Sequence, residues 1–209
     1  MNQKNGKNSL GLDKCFDEID NPVELFKKWF NKAMQTEIND PNAVAVATAD
    51  KNNQPSVRMV LLKGLNDKGF VFYTNFNSKK GEELKKNKKA SMCFHWKSLR
   101  RQVRITGIVE EVSNKEADDY YNSRPYKNKI GAWASSQSDV LDKREDFLEK
   151  IEKFKKKYPD ENVPRPPHWS GWRLMPNEVE FWLDGEGRIH ERLNYKKSSG
   201  KWKKILLYP

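Results

Sequence analysis

The feature that most constrains this chain is a set of cations placed where strands should be apolar. Val179–Leu183 reads as an aromatic strand, Gly185-Glu186-Gly187 as a turn, and Arg188-Ile189-His190-Glu191-Arg192 as the returning strand. Side chains at i, i+2 and i+4 of a strand share a face. The spacing therefore predicts Arg188, His190 and Arg192 on one face, beside Trp182. The pattern recurs upstream. Arg58-Met59-Val60-Leu61-Leu62-Lys63 puts two cations into an apolar strand, and Arg101-Gln102-Val103-Arg104 sets an amide between two guanidiniums. Burying a cation without a partner is costly. These strands call for anions nearby, either carboxylates of the chain itself or a bound ligand. Arg58 and Lys63 have opposite parity, so either their strand bulges or they serve different ligands.

The rest of the pattern is that of a mainly β chain. Asn21-Pro22 reads as an N-cap followed by proline at the first helical position, and Leu25, Phe26, Trp29, Phe30 and Ala33 recur at helical spacing. Strands are expected over 43–49, 56–65, 70–74, 90–96 and 102–112, and again from Trp172 to the end. A short helix is expected over 78–87. Ser113 with Glu116 forms a capping box that opens another through Tyr121. A charged helix over 142–157 carries Asp146/Lys150, Glu149/Lys153 and Glu152/Lys156 pairs. Many strands joined by short turns, with helices inserted, predict an antiparallel barrel or sandwich with peripheral helices. Residues 1–20 are expected to be a mobile lead-in and 21–209 one domain.

Charge widens the possibilities before it narrows them. Of a net charge of +11, a large share lies between Ser78 and Arg104, where ten Lys or Arg face only Glu82 and Glu83. Such a patch suits nucleic acid, a phosphorylated small ligand, or a solvated helix end. Ser78-Lys79-Lys80-Gly81 after the strand ending Tyr73-Thr74-Asn75 is a natural phosphate seat at a helix start. Gln102 offers an amide to a heteroaromatic ring edge. Ile130–Ser138, rich in Gly, Ala and Ser, is expected to be a loop that a flat ligand can approach closely. His95, His168 and His190 are far apart in sequence and give no metal motif. Cys15 and Cys93 read as free thiols of a reducing compartment. No run approaches the ~18 apolar residues of a membrane span, and the first residues lack the apolar core of a secretory signal. A cytoplasmic protein is expected, with no membrane partner.

Taken in order, Arg58–Lys63, Phe72–Gly81, Arg101–Gly107, Tyr120–Pro125, Ile130–Ser138, Glu180–Arg192 and Leu206–Pro209 closely resemble the pyridoxine/pyridoxamine 5'-phosphate oxidase family. The resemblance implies an FMN-binding split barrel, a Greek-key-like antiparallel barrel that forms a homodimer with FMN between subunits. It implies oxidation of pyridoxamine 5'-phosphate and pyridoxine 5'-phosphate to pyridoxal 5'-phosphate, with oxygen as acceptor and hydrogen peroxide as product. It matches Arg58, Met59, Val60, Leu61, Leu62, Lys63, Tyr73, Thr74, Lys79, Lys80, Gln102, Gln137, Ser138, Trp182 and Arg192 to FMN-contacting positions. Lys63, Tyr120, Arg124, Asn128, Arg188 and His190 match substrate positions, with Arg188 and His190 closest to the chemistry. Asn128 stands where the family usually has serine, Lys79 where arginine is commoner, and Leu183-Asp184 in place of a Gln-Gly pair. The N-terminus lacks the Arg-rich, Tyr-containing segment that covers the substrate in other members. Two phosphates, one on each ligand, account for cations in so many strands, since guanidinium forks suit phosphate oxygens. The rival readings are another flavin-binding split-barrel reductase or non-catalytic flavin carrier, and a basic barrel that binds nucleic acid.

Overall fold

The computed structural model describes residues 6–209; the start of the expected mobile segment, 1–5, lies outside them. Among the described residues one antiparallel sheet takes in nine strands. They are β1 (Ala43–Ala49), β2 (Pro55–Leu61), β3 (Gly64–Asn66), β4 (Gly69–Asn75), β5 (Lys89–Trp96), β6 (Arg101–Glu111), β7 (Trp169–Leu183), β8 (Glu191–Ser198) and β9 (Lys201–Leu206). The hydrogen-bonded order is β2-β1-β5-β6-β7-β4-β3, with β8 added to β7 and β9 to β8. The helices are α1 (Pro22–Thr36), α2 (Lys79–Lys86), α3 (Asn114–Asn122), α4 (Tyr126–Ala134) and α5 (Arg144–Lys157). None is long and apolar enough to cross a membrane.

The long strand β7 curls the sheet. Its first half pairs with β4, from Phe70↔Leu174 to Asn75↔Trp169, and its second half with β8, from Glu178↔Lys196 to Leu183↔Glu191. β6 runs along the other side of both halves, and its register to β7 shifts between Thr106 and Gly107. Pro176, opposite this shift, has no N–H to offer a ladder. A Cβ on Gly107 would lie 2.0 Å from the Met175 carbonyl oxygen, so glycine is required at this close approach.

α1 plugs the curled sheet. Asn21 caps it by accepting from the Val23 N–H, and Leu25, Phe26, Trp29 and Ala33 are buried at helical spacing. Phe26 meets Phe70, Phe94 and Trp96 at ring distances of 4.9, 5.0 and 5.8 Å. Each such side chain contributes about 1.5–3 kcal/mol by leaving water. Packing begins before the boundary drawn at residue 21: Leu12 and Phe16 are buried, and Trp29 Nε1 donates to the Cys15 carbonyl at 2.7 Å.

Four expectations of the sequence need correction. The strand expected over 56–65 is two, β2 and β3, broken where Leu62 turns inward and the Lys63 N–H bonds Val71 O. The returning strand of the aromatic hairpin begins at Glu191, not Arg188. Residues 186–188 form a 3-10 turn in which Gly187 and Arg188 have φ of 62° and 64°. Arg188, His190 and Arg192 therefore do not share a strand face. Ile130–Ala134 is helical within α4, with Ile130 and Ala134 buried one turn apart, and the loop starts at Ser135. On α5 the three expected i,i+4 pairs are not formed, and Lys155–Glu152 pairs instead at 2.7 Å.

Candidate functional site

The residues singled out by sequence fall into two groups. The first lines a cleft of about 1160 Å³ bounded by β2, β4, α2, α3 and α4. Arg58–Leu61, Lys63, Tyr73, Thr74, Lys79, Lys80, Tyr120, Arg124, Asn128, Gln137 and Ser138 all face it. The break after β2 is what brings Lys63 to the same cleft as Arg58 despite their opposite parity. Leu62 is buried in the core and is not part of the lining.

Of the cleft's cations, Lys63, Lys79 and Lys127 are exposed, whereas two are drawn out of solvent with no carboxylate partner among the described residues. Lys80, on the first turn of α2 and 8% exposed, donates to Thr74 Oγ1 (3.1 Å), Ser78 Oγ (3.3 Å) and Gln137 Oε1 (3.1 Å). Burial pushes its ammonium down to about 8; the Arg58 charge adds to this and the Glu83 charge opposes it. Ser78 caps α2 by accepting from the Gly81 N–H, and the helix dipole there also favours an anion. The second is Arg124. Its guanidinium lies 4.7 Å from the Trp169 ring centroid, and its Nη1 is buried with no hydrogen-bond partner. Burial lowers its pKa. Unpaired buried cations are costly, so the cleft holds two seats for anions.

Arg58, by contrast, has an internal partner. Its Nη1 donates to Val46 O (3.0 Å) and Thr48 Oγ1 (2.5 Å), and its Nη2 to Ser56 Oγ (2.5 Å) and Glu83 Oε2 (3.3 Å). The cleft also has an aromatic wall. Tyr73 stacks on Tyr120 at 4.0 Å and on Trp169 at 5.3 Å. Burial raises both phenols, Tyr73 to about 12. Asn75 Nδ2 pins the following loop by donating to Ser135 O at 3.1 Å, and Ser138 sits there with φ of 79°. A left-handed serine is an unfavourable conformation held by its surroundings. Trp169, Asn75 and Glu83 were not singled out from the sequence. Trp169 follows a Pro-Pro-His run that reads as loop, and Glu83 sits in a lysine-rich helix that reads as solvated.

The second group does not line this cleft. Gln102, Trp182 and Arg192 occupy one row across β6, β7 and β8, where Gln102 pairs with Trp182 and Trp182 with Arg192. His190 leans on Trp182 at 4.6 Å and accepts from the Gly185 N–H at Nδ1 (3.2 Å). Asp184 Oδ1 is 3.2 Å from the same nitrogen. Arg188 is exposed. Arg192 is held by Glu180 (3.0 Å) and by the Tyr208 carbonyl (2.8 Å). Burial works to raise the Glu180 carboxyl, but hydrogen bonds from Arg192 and Arg104 and their charges outweigh it and hold it low. Among the described residues no group of His, Cys, Asp and Glu could hold a metal ion.

A curled antiparallel sheet beside a cleft with two anion seats defines a split-barrel ligand-binding protein. A Nostoc punctiforme protein described as pyridoxamine 5'-phosphate oxidase-related and FMN-binding shares the fold, with a TM-score of 0.72 at 16% identity over 90% of this chain and 98% of its own. The chain belongs to the pyridoxamine 5'-phosphate oxidase family: that family matches residues 30–182, and the pyridoxine 5'-phosphate oxidase C-terminal dimerisation region matches 169–209. It is similar to the pyridoxine/pyridoxamine 5'-phosphate oxidase of Pelagibacter ubique, 65% identical over 98% of this chain and all of the relative (100%). The Agrobacterium fabrum enzyme of the same name is 53% identical over 93% of this chain and 95% of its own. A crystal structure of PhzG from Burkholderia lata, in complex with tetrahydrophenazine-1-carboxylic acid, superposes with a TM-score of 0.89 at 30% identity, covering 98% of this chain and 100% of that one.

Proposed function

We infer that the protein is an FMN-dependent oxidase that converts pyridoxamine 5'-phosphate and pyridoxine 5'-phosphate to pyridoxal 5'-phosphate, with oxygen as acceptor and hydrogen peroxide as product. The observation that carries this reading is a pair of cations in one cleft without carboxylate partners among the described residues, the buried Lys80 and the half-buried Arg124 with its Nη1 shut off from solvent. One seat suits the FMN phosphate and the other the substrate phosphate. FMN, when bound, supplies the hydride acceptor.

The chain's own residues bind and orient. Lys80, Arg58, Lys79, Thr74, Gln137 and Ser138 surround the first seat. Arg124, Lys63, Tyr120 and Asn128 are assigned to the second; their shared lining of the cleft, with the Tyr73–Tyr120–Trp169 stack, supports this. Gln102, Trp182, Arg188, His190 and Arg192 belong to the same site through a second copy of the chain. Support for this comes from their absence from the cleft lining and from the match of 169–209 to a dimerisation region. The edge strand β2 leaves Val57 and Met59 68% and 64% exposed, an apolar row that a second copy would cover. Arg188 then positions the substrate, and His190 hydrogen-bonds it or holds a proton at its free ring nitrogen.

The test is incubation of the FMN-loaded protein with pyridoxamine 5'-phosphate under air, following aldehyde and peroxide together. Equal yields of the two are expected. A flavin-loaded protein that forms neither is a carrier or another reductase.

A further inference from the structure

We propose that Glu83 is the positioning residue of the first anion seat: it fixes the Arg58 guanidinium and thereby sets the preference for a phosphorylated flavin. This rests on the reading of that seat as the FMN phosphate site. Glu83 lies on the inner face of α2, 5% exposed, and its carboxylate is reached from three directions. Thr48 Oγ1 on β1 donates at 2.5 Å, Ser56 Oγ on β2 at 2.7 and 2.9 Å to the two oxygens, and Arg58 Nη2 at 3.3 Å. The carboxylate thus ties the helix that carries Lys79 and Lys80 to the strand that carries Arg58.

A buried carboxylate near a phosphate seat looks unfavourable at first. Its geometry resolves this. Thr48 and Ser56 both bond Glu83 and also accept from Arg58, so three side chains grip the guanidinium in a closed hydrogen-bonded ring. With its Nη–H groups taken up by Val46 O, Thr48, Ser56 and Glu83, Arg58 meets a phosphate as a fixed positive charge, and a charge already held in place loses little freedom on binding. Burial works to raise the Glu83 carboxyl, but the hydroxyl bonds and the Arg58 and Lys79 charges outweigh it, so the anion persists. Its charge also supports protonation of Lys80 against burial and the Arg58 charge. The charged groups facing Lys80 are Arg58 from β2 and Glu83 on its own helix; Thr74 and Gln137 complete its surroundings and do not titrate.

The experiment is titration of the full-length, flavin-stripped protein with FMN and with riboflavin, following quenching of flavin fluorescence. Glu83→Gln keeps the size and most hydrogen bonds. It should weaken FMN about tenfold and leave riboflavin unchanged, and its loss of FMN affinity with rising pH should begin at lower pH than in the parent. In an Arg58→Ala background the same change should have a much smaller effect on FMN, limited to what Glu83 does through Lys80. Glu83→Asp should recover part of the FMN preference. Parallel loss of FMN and riboflavin would reduce Glu83 to a structural role and overturn the proposal, as would unchanged FMN affinity. If the parent itself binds FMN and riboflavin equally, the phosphate seat fails and this inference with it. If the parent discriminates and Glu83→Gln discriminates equally, only this inference fails.

Discussion

The cleft and the β6–β8 row are built from the same residue types and behave as opposites. In the cleft, Lys80 is buried and Arg124 half-buried, both without carboxylate partners among the described residues, amid a helix start, hydroxyls and stacked rings. In the row, Arg192 is neutralised by Glu180, Trp182 is shared with His190, and Arg188 stands exposed on a left-handed turn. The first is a seat that strongly wants an anion. The second has its charges mostly satisfied and leaves Arg188 exposed. On the proposed reading the row would be a half-site that waits for a partner chain, while the cleft is the part that calls for a ligand. The two halves should therefore fail in different ways when altered.

The largest effect is expected in the row. Arg188→Ala and His190→Ala should each lower kcat with pyridoxamine 5'-phosphate by about 100-fold or more, with FMN retained. Steady-state rates beside the flavin absorbance of the purified variants check this. Loss of flavin in Arg188→Ala with normal turnover on added FMN would reverse the assignment. Next comes the cleft: Lys80→Ala should weaken FMN at least about tenfold while riboflavin binding changes little. Equal loss of both ligands would place Lys80 in the fold rather than the phosphate seat.

A smaller, signed effect follows from Lys80. Its ammonium titrates near 8 in the ligand-free protein, against 10.5 for the free side chain. The unfolded chain therefore holds more protons than the folded one between those values. By linkage the ligand-free protein gains stability from this group as pH rises from about 8 toward 10.5. FMN affinity should fall over the same rise, because the seat loses its charge. Thermal unfolding and FMN titration across this range should move in opposite directions. Movement together would remove Lys80 from the seat.

Much of this was legible in the sequence because local chemistry dictated it. Asn21-Pro22 opens α1, Ser113 with Glu116 opens α3, and the alternation of β5 and β6 survives into the structure. Of the cleft residues, Arg58, Lys63, Lys79 and Lys80 stand out by type and place, whereas Tyr120, Arg124 and Asn128 come only with the resemblance to the family. What escaped was set by non-local geometry. The break at Leu62 follows from its burial in a core no local pattern reveals, and the turn at Gly187–Arg188 from a left-handed pair that strand parity cannot anticipate. Ile130–Ala134 looked like loop because its small residues carry too little contrast to show a helical period. Glu83 was hidden by the lysines around it, although its partners Thr48 and Ser56 lie on two adjacent strands.

The shared site is the central claim, and mixed dimers test it most directly. One parent carries Lys63→Ala in the cleft and the other His190→Ala in the row, and each is expected to be strongly impaired as a homodimer. In a two-fold assembly that takes one half-site from each chain, a mixed dimer contains one doubly altered site and one intact site. Random exchange of subunits should therefore restore activity to about one quarter of the unaltered protein. Exchange verified by mass, with activity staying at the level of the two parents, would show that each chain builds its site alone and would contradict the account.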